Sequence, residues 1–404
     1  MGNGSFIINI NILKQIVMEQ VISTERVPIK LWLNDIEEGA LDQAKNLANL
    51  PFAYKWISIM PDSHQGYGMP IGGVLPTQNM EVIPNAVGVD IGCGMCVKRT
   101  SLTDITTEDL KKVMGLIREA VPVGFNHHDR KQDPTYTPSF TLEFSEMVVG
   151  KEYEKSLYQV GTLGGGNHFI EIQKGSDGHI WIMIHSGSRN IGYTVAKHYN
   201  ELAVEMNEMY FSDVPKDLAF FPNNTQEHHD YMTEMNWCIE FAKCNRELML
   251  MNIQECFKGV FNDISFRDYL NKPHNFASME NHFGRNVLVH RKGATRAREG
   301  ELGMIPSSQG STSYIVRGKG NEDSFTSCSH GAGRVMSRTK ARNTLSIEKE
   351  TKRLDDMGVL HAIRSKNDLD EAPSSYKNMD TVMSNQKDLV DIEIELKPLG
   401  VIKG

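Results

Sequence analysis

The chain of 404 residues is short of cysteine, proline, net positive charge and long apolar runs, and each shortage removes a class of protein. The 6 cysteines, spread from Cys93 to Cys328, are too sparse for the disulfide framework of a small secreted domain and predict a reduced, cytoplasmic protein. With 15 prolines and no low-complexity stretch, collagen-like and disordered classes are excluded. The run Phe6 to Val17 has too few apolar residues to cross a bilayer, so no membrane association is expected. It also lacks preceding basic residues and a small-residue cleavage site, and reads as part of an N-terminal extension over residues 1–20, with the functional start nearer Met18. Repeats of 20 to 50 residues are missing too, which disfavours solenoids. Finally, 43 Lys+Arg against 51 Asp+Glu give a net charge of −8, which argues against a surface that coats nucleic acid everywhere.

What is present predicts one domain with insertions. Helical periodicity marks 107–120, where Thr107 can cap, Leu110, Val113, Met114 and Ile117 share a face, and Pro122 ends the run. A second helical stretch spans 226–258, with Trp237, Phe241, Leu248 and Met251 as its expected buried face and its cysteines in the core. Strand-like runs are Lys55–Met60, Gly178–Ile184, Val287–His290 and Ser313–Arg317. Around them lie six glycine-rich segments: MPDSHQGYGMPIGG (60–73), GVDIGCGM (88–95), GTLGGGNHF (161–169), HSGSRNIG (185–192), RKGATRAREG (291–300) and CSHGAGRVMSR (328–338). One such segment is ordinarily a turn. Six, each placing glycines beside His, Asp, Cys or Arg, predict loops shaped around a ligand.

Asp90 and Cys93 stand three apart in one of these turns, while His168 and His185 sit at strand and loop junctions and His274 follows Lys272-Pro273. A thiolate, a carboxylate and several imidazoles suit manganese, zinc, iron or cobalt better than magnesium, which prefers oxygen alone. Any one of these histidines taken singly is more often a satisfied hydrogen-bonding residue than a ligand, so the prediction rests on the set. Cys93 and Cys96 also spell CxxC, but a second CxxC and a thioredoxin-like context are missing, and Cys96 is expected to be packed.

No segment has P-loop spacing, no GxGxxG opens a helix after a strand, and the KxDG motif of lysine-based nucleotidyl transfer is absent. His330 in SHGAGR is the candidate nucleophile instead, because a neutral imidazole can attack phosphorus and later pass the nucleotide on. The bland alternative is a helix-start histidine. Arg334 and Arg338 follow it at helical spacing, which favours phosphate chemistry. Charge sorting agrees: from Gly284 to Arg342 there are 11 Lys+Arg and four acids, a net +7, which leaves −15 for the rest of the chain. Beside His330 this stretch reads as a strand-binding groove.

These blocks, MPDSHQGYGMPIGG, DIGCGM, GTLGGGNHFIE, HSGSR, HGAGRVMSR and the terminal VIKG, in this order closely resemble the RtcB family of RNA-splicing ligases over roughly Val27 to Gly404. The resemblance implies a single large α/β domain over residues 21–404 with a central metal- and nucleotide-binding cleft. It further implies GTP- and Mn²⁺-dependent joining of RNA 2′,3′-cyclic phosphate or 3′-phosphate ends to 5′-hydroxyl ends. By the same carry-over Asp90, Cys93, His168, His185 and His274 would hold two manganese ions, with Cys93 bridging, and His330 would be the guanylylated nucleophile. GTP or GMP would lie against Asn167, Phe169, Glu171, Ser308, Ser313, Gly331, Ala332, Gly333, Tyr376 and Lys403, and Arg189 and Arg334 would hold RNA phosphate. GMP would pass from His330 to the RNA 3′-phosphate and leave when the 5′-hydroxyl attacks.

The partners implied are tRNA or rRNA with broken ends, in splicing or repair, and an archease-like helper is a further candidate. Three features depart from the family pattern: the segment 125–158 with His127 and His128, Gln309 where methionine is common, and the leading 17 residues. The competing readings are a metal-dependent RNA-end phosphohydrolase or cyclic phosphodiesterase, and a non-catalytic protein that binds damaged RNA.

Overall fold

The runs predicted as strands all lie in sheets, with shifted ends. In the computed structural model, which describes residues 18–404, the strands are Ile57–Tyr67, Ile180–Ser186, Arg285–Lys292 and Ser313–Gly318. Lys55 and Gly178 drop out because both hold positive φ, 58° and 85°, which a strand does not accept. Polar residues extend the other ends: Asp62 and Arg291 are fully buried and hydrogen-bonded to His330 and Glu280, so these strands continue past their apolar cores. MPDSHQGYGMPIGG is therefore a hairpin rather than a loop. Ile57–Tyr67 and Met69–Thr77 meet at Gly68, whose φ of 70° and close approach to the Asp217 carbonyl leave no room for a β-carbon.

Two sheets carry the architecture, a mixed α/β arrangement as the resemblance implied. The six-stranded sheet runs Gln20–Ile22, Ile29–Leu31, Ile57–Tyr67, Met69–Thr77, Arg285–Lys292, Asn275–His282. Among the described residues its only parallel pair joins Ile29–Leu31 to Ile57–Tyr67. The seven-stranded sheet is antiparallel throughout and runs Leu302–Ile305, Ser313–Gly318, Val390–Lys403, Phe169–Gly175, Ile180–Ser186, Gly94–Thr100, Phe266–Pro273. A two-stranded ribbon, Ala294–Arg296 with Ser327–Ser329, lies beside them. Residues 1–17, and with them the Phe6 to Val17 run, lie outside the described residues. Gln20, assigned to the extension, already pairs with Leu31 in the first sheet.

The seven-stranded sheet is apolar on both faces, as two-periodicity requires of a doubly covered sheet. Ile170, Ile172, Ile182 and Ile184 pack against helix Thr107–Ala120 and helix Gln226–Lys258, whereas Phe169, Trp181, Met183 and Leu396 face a second core closed by Leu354 and Leu369. Helix Thr107–Ala120 is capped by Thr106, whose hydroxyl accepts from the Asp109 amide, one residue before the expected Thr107. Thr107 is displaced because the cap needs extended backbone, which Thr106 has. Helix Gln226–Lys258 has the predicted bounds and buries Trp237, Phe241 and Leu248, but Met251 is about half exposed, since ten residues after Phe241 the helix has turned it away from the sheet. Cys238 and Cys256 are buried as expected, while Cys244 is only partly covered. The chain passes from one sheet to the other between Pro273 and Asn275, leaving His274 as the single residue that joins them.

Candidate functional site

Four strand ends and one turn deliver the soft and borderline donors to one place. Cys93 precedes strand Gly94–Thr100, His168 precedes Phe169–Gly175, His185 lies on Ile180–Ser186 and His274 is the junction residue. Their donor atoms converge: Cys93 Sγ is 3.2 Å from His185 Nε2 and 3.5 Å from His168 Nε2, His185 Nε2 is 3.3 Å from His274 Nε2, and His168 Nε2 is 3.0 Å from Asp90 Oδ2. Cys93, His168 and His185 are buried and could grip one ion between them.

The chemistry of the set fits a metal. His168 Nδ1 donates to the Leu163 carbonyl at 3.0 Å, so its Nε2 presents a lone pair to the Asp90 carboxylate and the Cys93 sulfur. Lone pairs facing one another need a cation between them, and fixing the remote nitrogen on a carbonyl is how ligand histidines are oriented. Burial, reinforced by the like-charged neighbours His274 and His168, holds His185 neutral. Burial and the Asp90 charge push the Cys93 thiol up, so a thiolate there requires a compensating cation.

The turn that carries Asp90 and Cys93 is held from behind. Gly92 N donates to Asn275 O (2.9 Å), His274 N to Cys93 O (2.8 Å), and Asn275 Nδ2 to Asp90 O (3.1 Å). Arg246, fully buried on the long helix, donates from Nη1 to both Gly92 O and Ser186 O, and from Nε to Asn271 Oδ1. Its neighbour Asn245 accepts from the Gly161 and Thr162 amides and donates to Ser186 Oγ and Gly187 O. These two residues thus tie three of the glycine-rich loops together. Sequence reasoning passed over them, although a polar pair on the face that carries Phe241 and Leu248 was a usable signal.

A cleft opens above the centre, and His330 stands in its wall with its ring 4.7 Å from that of His274. Asp62, fully buried, accepts three hydrogen bonds on Oδ2: from His330 Nδ1 (2.6 Å), His330 N (3.1 Å) and Gly331 N (3.1 Å). This leaves His330 Nε2 as the free lone pair. Gly293 and Gly333 make the fit possible, since a β-carbon on Gly293 would sit 3.1 Å from the His330 ring and one on Gly333 would strike the Asp62 carbonyl. Asp62 was not singled out in the sequence, although it lies within a quoted motif. His64, two residues on, also lines the cleft, with burial lowering it to about 4.

Of the remaining expected residues, Asn167, Phe169, Glu171, Ser308, Gly331, Ala332, Gly333, Tyr376 and Lys403 all line this cleft. Ser313 does not: it is buried behind the wall, its hydroxyl accepting from Ser307 N. Gln309, the departure from the family pattern, lines the cleft and donates to the Glu371 carbonyl. Arg334 reaches the cleft, but its guanidinium is engaged by Glu371, Asp370 O and Met336 O. Arg189 lies outside the cleft, in the neighbouring groove, with Nε on Thr162 Oγ1 at 3.2 Å. Glu371 collects Arg334, Arg338, Lys403 and the Tyr376 hydroxyl around one buried carboxylate.

The basic stretch Gly284–Arg342 is not one exposed groove. Arg291 is buried against Glu280, Lys292 is buried with its ammonium on the Tyr67 and Asn85 carbonyls, and Arg296 pairs with Glu301. A charge sum cannot tell a cation held inside from one presented to solvent, and only Arg338 and Arg342 of this stretch reach the groove.

Fold and centre together define an α/β protein with a thiol and imidazole cluster able to hold metal at the floor of a glycine-walled cleft. The chain belongs to the RtcB family: a family model described as tRNA-splicing ligase RtcB matches residues 43–142 and 140–404. It is 38% identical over 415 residues to the RNA-splicing ligase RtcB of Escherichia coli (strain K12), covering 95% of this chain and 99% of the relative. To the tRNA-splicing ligases RtcB of Thermococcus kodakarensis and Archaeoglobus fulgidus it is 30% and 32% identical, in each case over 94% of this chain and 95% of the relative. The two matched stretches meet at 140–142, inside the segment 125–158 that departs from the family pattern.

Proposed function

We propose that the protein is a GTP- and Mn²⁺-dependent RNA ligase that joins 2′,3′-cyclic phosphate or 3′-phosphate ends to 5′-hydroxyl ends, in tRNA splicing or RNA repair. The substrate class comes from the relatives, which are named RNA-splicing and tRNA-splicing ligases. The observation that carries the chemistry is the Asp62–His330 pair: a buried carboxylate accepts a hydrogen bond from Nδ1–H, fixes the tautomer and leaves Nε2 free in the cleft. Nε2 attacks the α-phosphorus of GTP, the bond to pyrophosphate breaks, and Asp62 stabilises the positive charge left on the ring. GMP then passes from Nε2 to an oxygen of the RNA 3′-phosphate, and the 5′-hydroxyl expels it as the strand closes.

Asp90, Cys93, His168, His185 and His274 are the residues that would hold two manganese ions. When bound, these would neutralise phosphate charge and polarise the reacting oxygens. Glycines 331 and 333 let the backbone approach the nucleotide closely, while Glu171, Phe169, Tyr376 and Lys403 enclose it and Arg189 takes RNA phosphate. The catalytic domain takes in residues 20–404, since Gln20 already pairs with Leu31, and the cytoplasm, with its reduced thiols, is its compartment.

Intact-mass measurement after incubation with GTP and Mn²⁺ tests the reading. We expect a GMP-sized mass gain in the wild-type chain and none in His330→Ala. No gain in the wild type, or an undiminished one in His330→Ala, overturns it. Release of 3′-phosphate ends without GTP would point to the phosphohydrolase reading instead.

A further inference from the structure

We propose that the groove beside the cleft seats the last nucleotides of the phosphate-bearing RNA strand, and that Phe125 is the platform on which its terminal base stacks. This rests on the ligase reading above and adds to it a site for the base. The groove shares Asn167, Arg338 and Lys403 with the cleft and continues away from it along Gly165, Gly166, Arg189 and Phe125. A strand whose end phosphate reaches His330 must leave by such a path.

Three observations point to a nucleic-acid strand. The glycine-rich loop is bare where guanidinium groups cross it: a β-carbon on Gly164 would fall 2.0 Å from Arg189 Nη1, and one on Gly166 would fall 3.0 Å from Arg338 Nη2. Arg189 is the uncommitted cation of the groove: Arg338 and Lys403 are met by Glu371 and Arg342 by Asp370, while no acceptor among the described residues meets the terminal amino groups of Arg189. The Phe125 ring is fully exposed, yet its loop is tied down on both sides, through Leu163 N to Pro122 O (2.9 Å), Gly124 N to Gly164 O (3.0 Å) and Asn126 N to Val123 O (3.2 Å).

An aromatic ring held in water beside phosphate-binding cations matches the stacking platforms of single-strand binders. Every base offers a π-face, so such a platform tolerates any sequence, as a protein that takes broken ends of varied origin requires. Arg189 lines the groove together with Asp90 and is partly buried, whereas Phe125, on the loop that joins the same glycine segment at Gly164, is fully exposed. The terminal phosphate therefore points inward and the base outward.

The experiment measures ligation of defined oligonucleotides as the 3′-phosphate strand is titrated. Phe125→Ala should raise KM for that strand roughly tenfold, within the range of base stacking on an aromatic side chain, and Phe125→Trp should restore it. In the wild-type chain an abasic 3′-terminal nucleotide should impose the same penalty, and in Phe125→Ala it should add little. Equal KM in wild type and Phe125→Ala, a full abasic penalty in both, or a penalty that follows abasic sites only in the 5′-hydroxyl strand overturns the proposal. Should the wild type form no His330 adduct, the ligase reading fails by itself. Anisotropy of a labelled 3′-phosphate oligonucleotide, intact against abasic, then decides the groove on binding alone.

Discussion

The floor of the cleft and its outer wall are built on different principles. The floor, from Asp90 through His168 and His185 to His274, hangs on strand ends and is held by backbone hydrogen bonds and by the buried Asn245 and Arg246. The wall, from Arg334 to Arg342 and across to Tyr376, rests on short helices and turns and is held by ion pairs onto Glu371 and Asp370. Arg338 and Arg342 remain nearly half exposed while making those pairs. A floor so fixed keeps donor atoms at set distances in the absence of a ligand, whereas a wall of ion pairs can exchange its carboxylates for the phosphates of an entering nucleotide.

The largest expected effect is on the floor. Arg246→Met removes the donor shared by two loops and leaves the Gly92 and Ser186 carbonyls buried without it, a loss on the order of 3 kcal/mol. Metal affinity should fall at least about tenfold, the usual cost of losing a residue that orients ligands. Denaturant midpoints and metal titration check both. Full stability with full metal affinity in this variant would dissolve the distinction between floor and wall.

A smaller effect is expected at the wall. Glu371→Gln should cost about 2 kcal/mol, since hydrogen bonds to a charged partner are weakened but the amide keeps its shape. It should weaken GTP binding while leaving metal content intact, and calorimetric titration with GTP against metal analysis separates the two. Loss of metal along with nucleotide would show that the two regions are coupled.

The smallest effect is a pH dependence. Burial pushes Glu171 up to about 8, against the lowering influence of Gln173 and Lys403, so its carboxyl is protonated at neutral pH in the free protein. A guanine edge offers N–H donors and binds the carboxylate form. GTP affinity should therefore rise with pH up to about 8, by at most about tenfold per unit, and Glu171→Gln should flatten the profile. A flat profile in the wild type would place the base elsewhere.

What the sequence made legible follows the same division. The floor donors sit in contiguous glycine-rich motifs, so residue types and spacing were enough to nominate Asp90, Cys93, His168, His185 and His274 before any fold was known. The helices Thr107–Ala120 and Gln226–Lys258 declared themselves by periodicity. The wall was harder, because Glu371 and Asp370 meet Arg334, Arg338 and Arg342 only through tertiary contact. Arg291 and Lys292 were misread as surface charge for the same reason: burial is a property of the sheet they lie in. Asp62 was hidden inside a strand that polar residues extend beyond its apolar core.

His274 belongs to neither sheet and is the single residue between the two strands it links. An ion gripped by His274 together with His185, whose Nε2 atoms lie 3.3 Å apart, would fasten the six-stranded sheet to the seven-stranded one at their junction. Whatever binds the folded centre and not the unfolded chain adds its binding free energy to folding. Loading the cluster would then be part of assembling the protein, and a chain that lost its metal would lose a clasp between its halves along with a catalytic group.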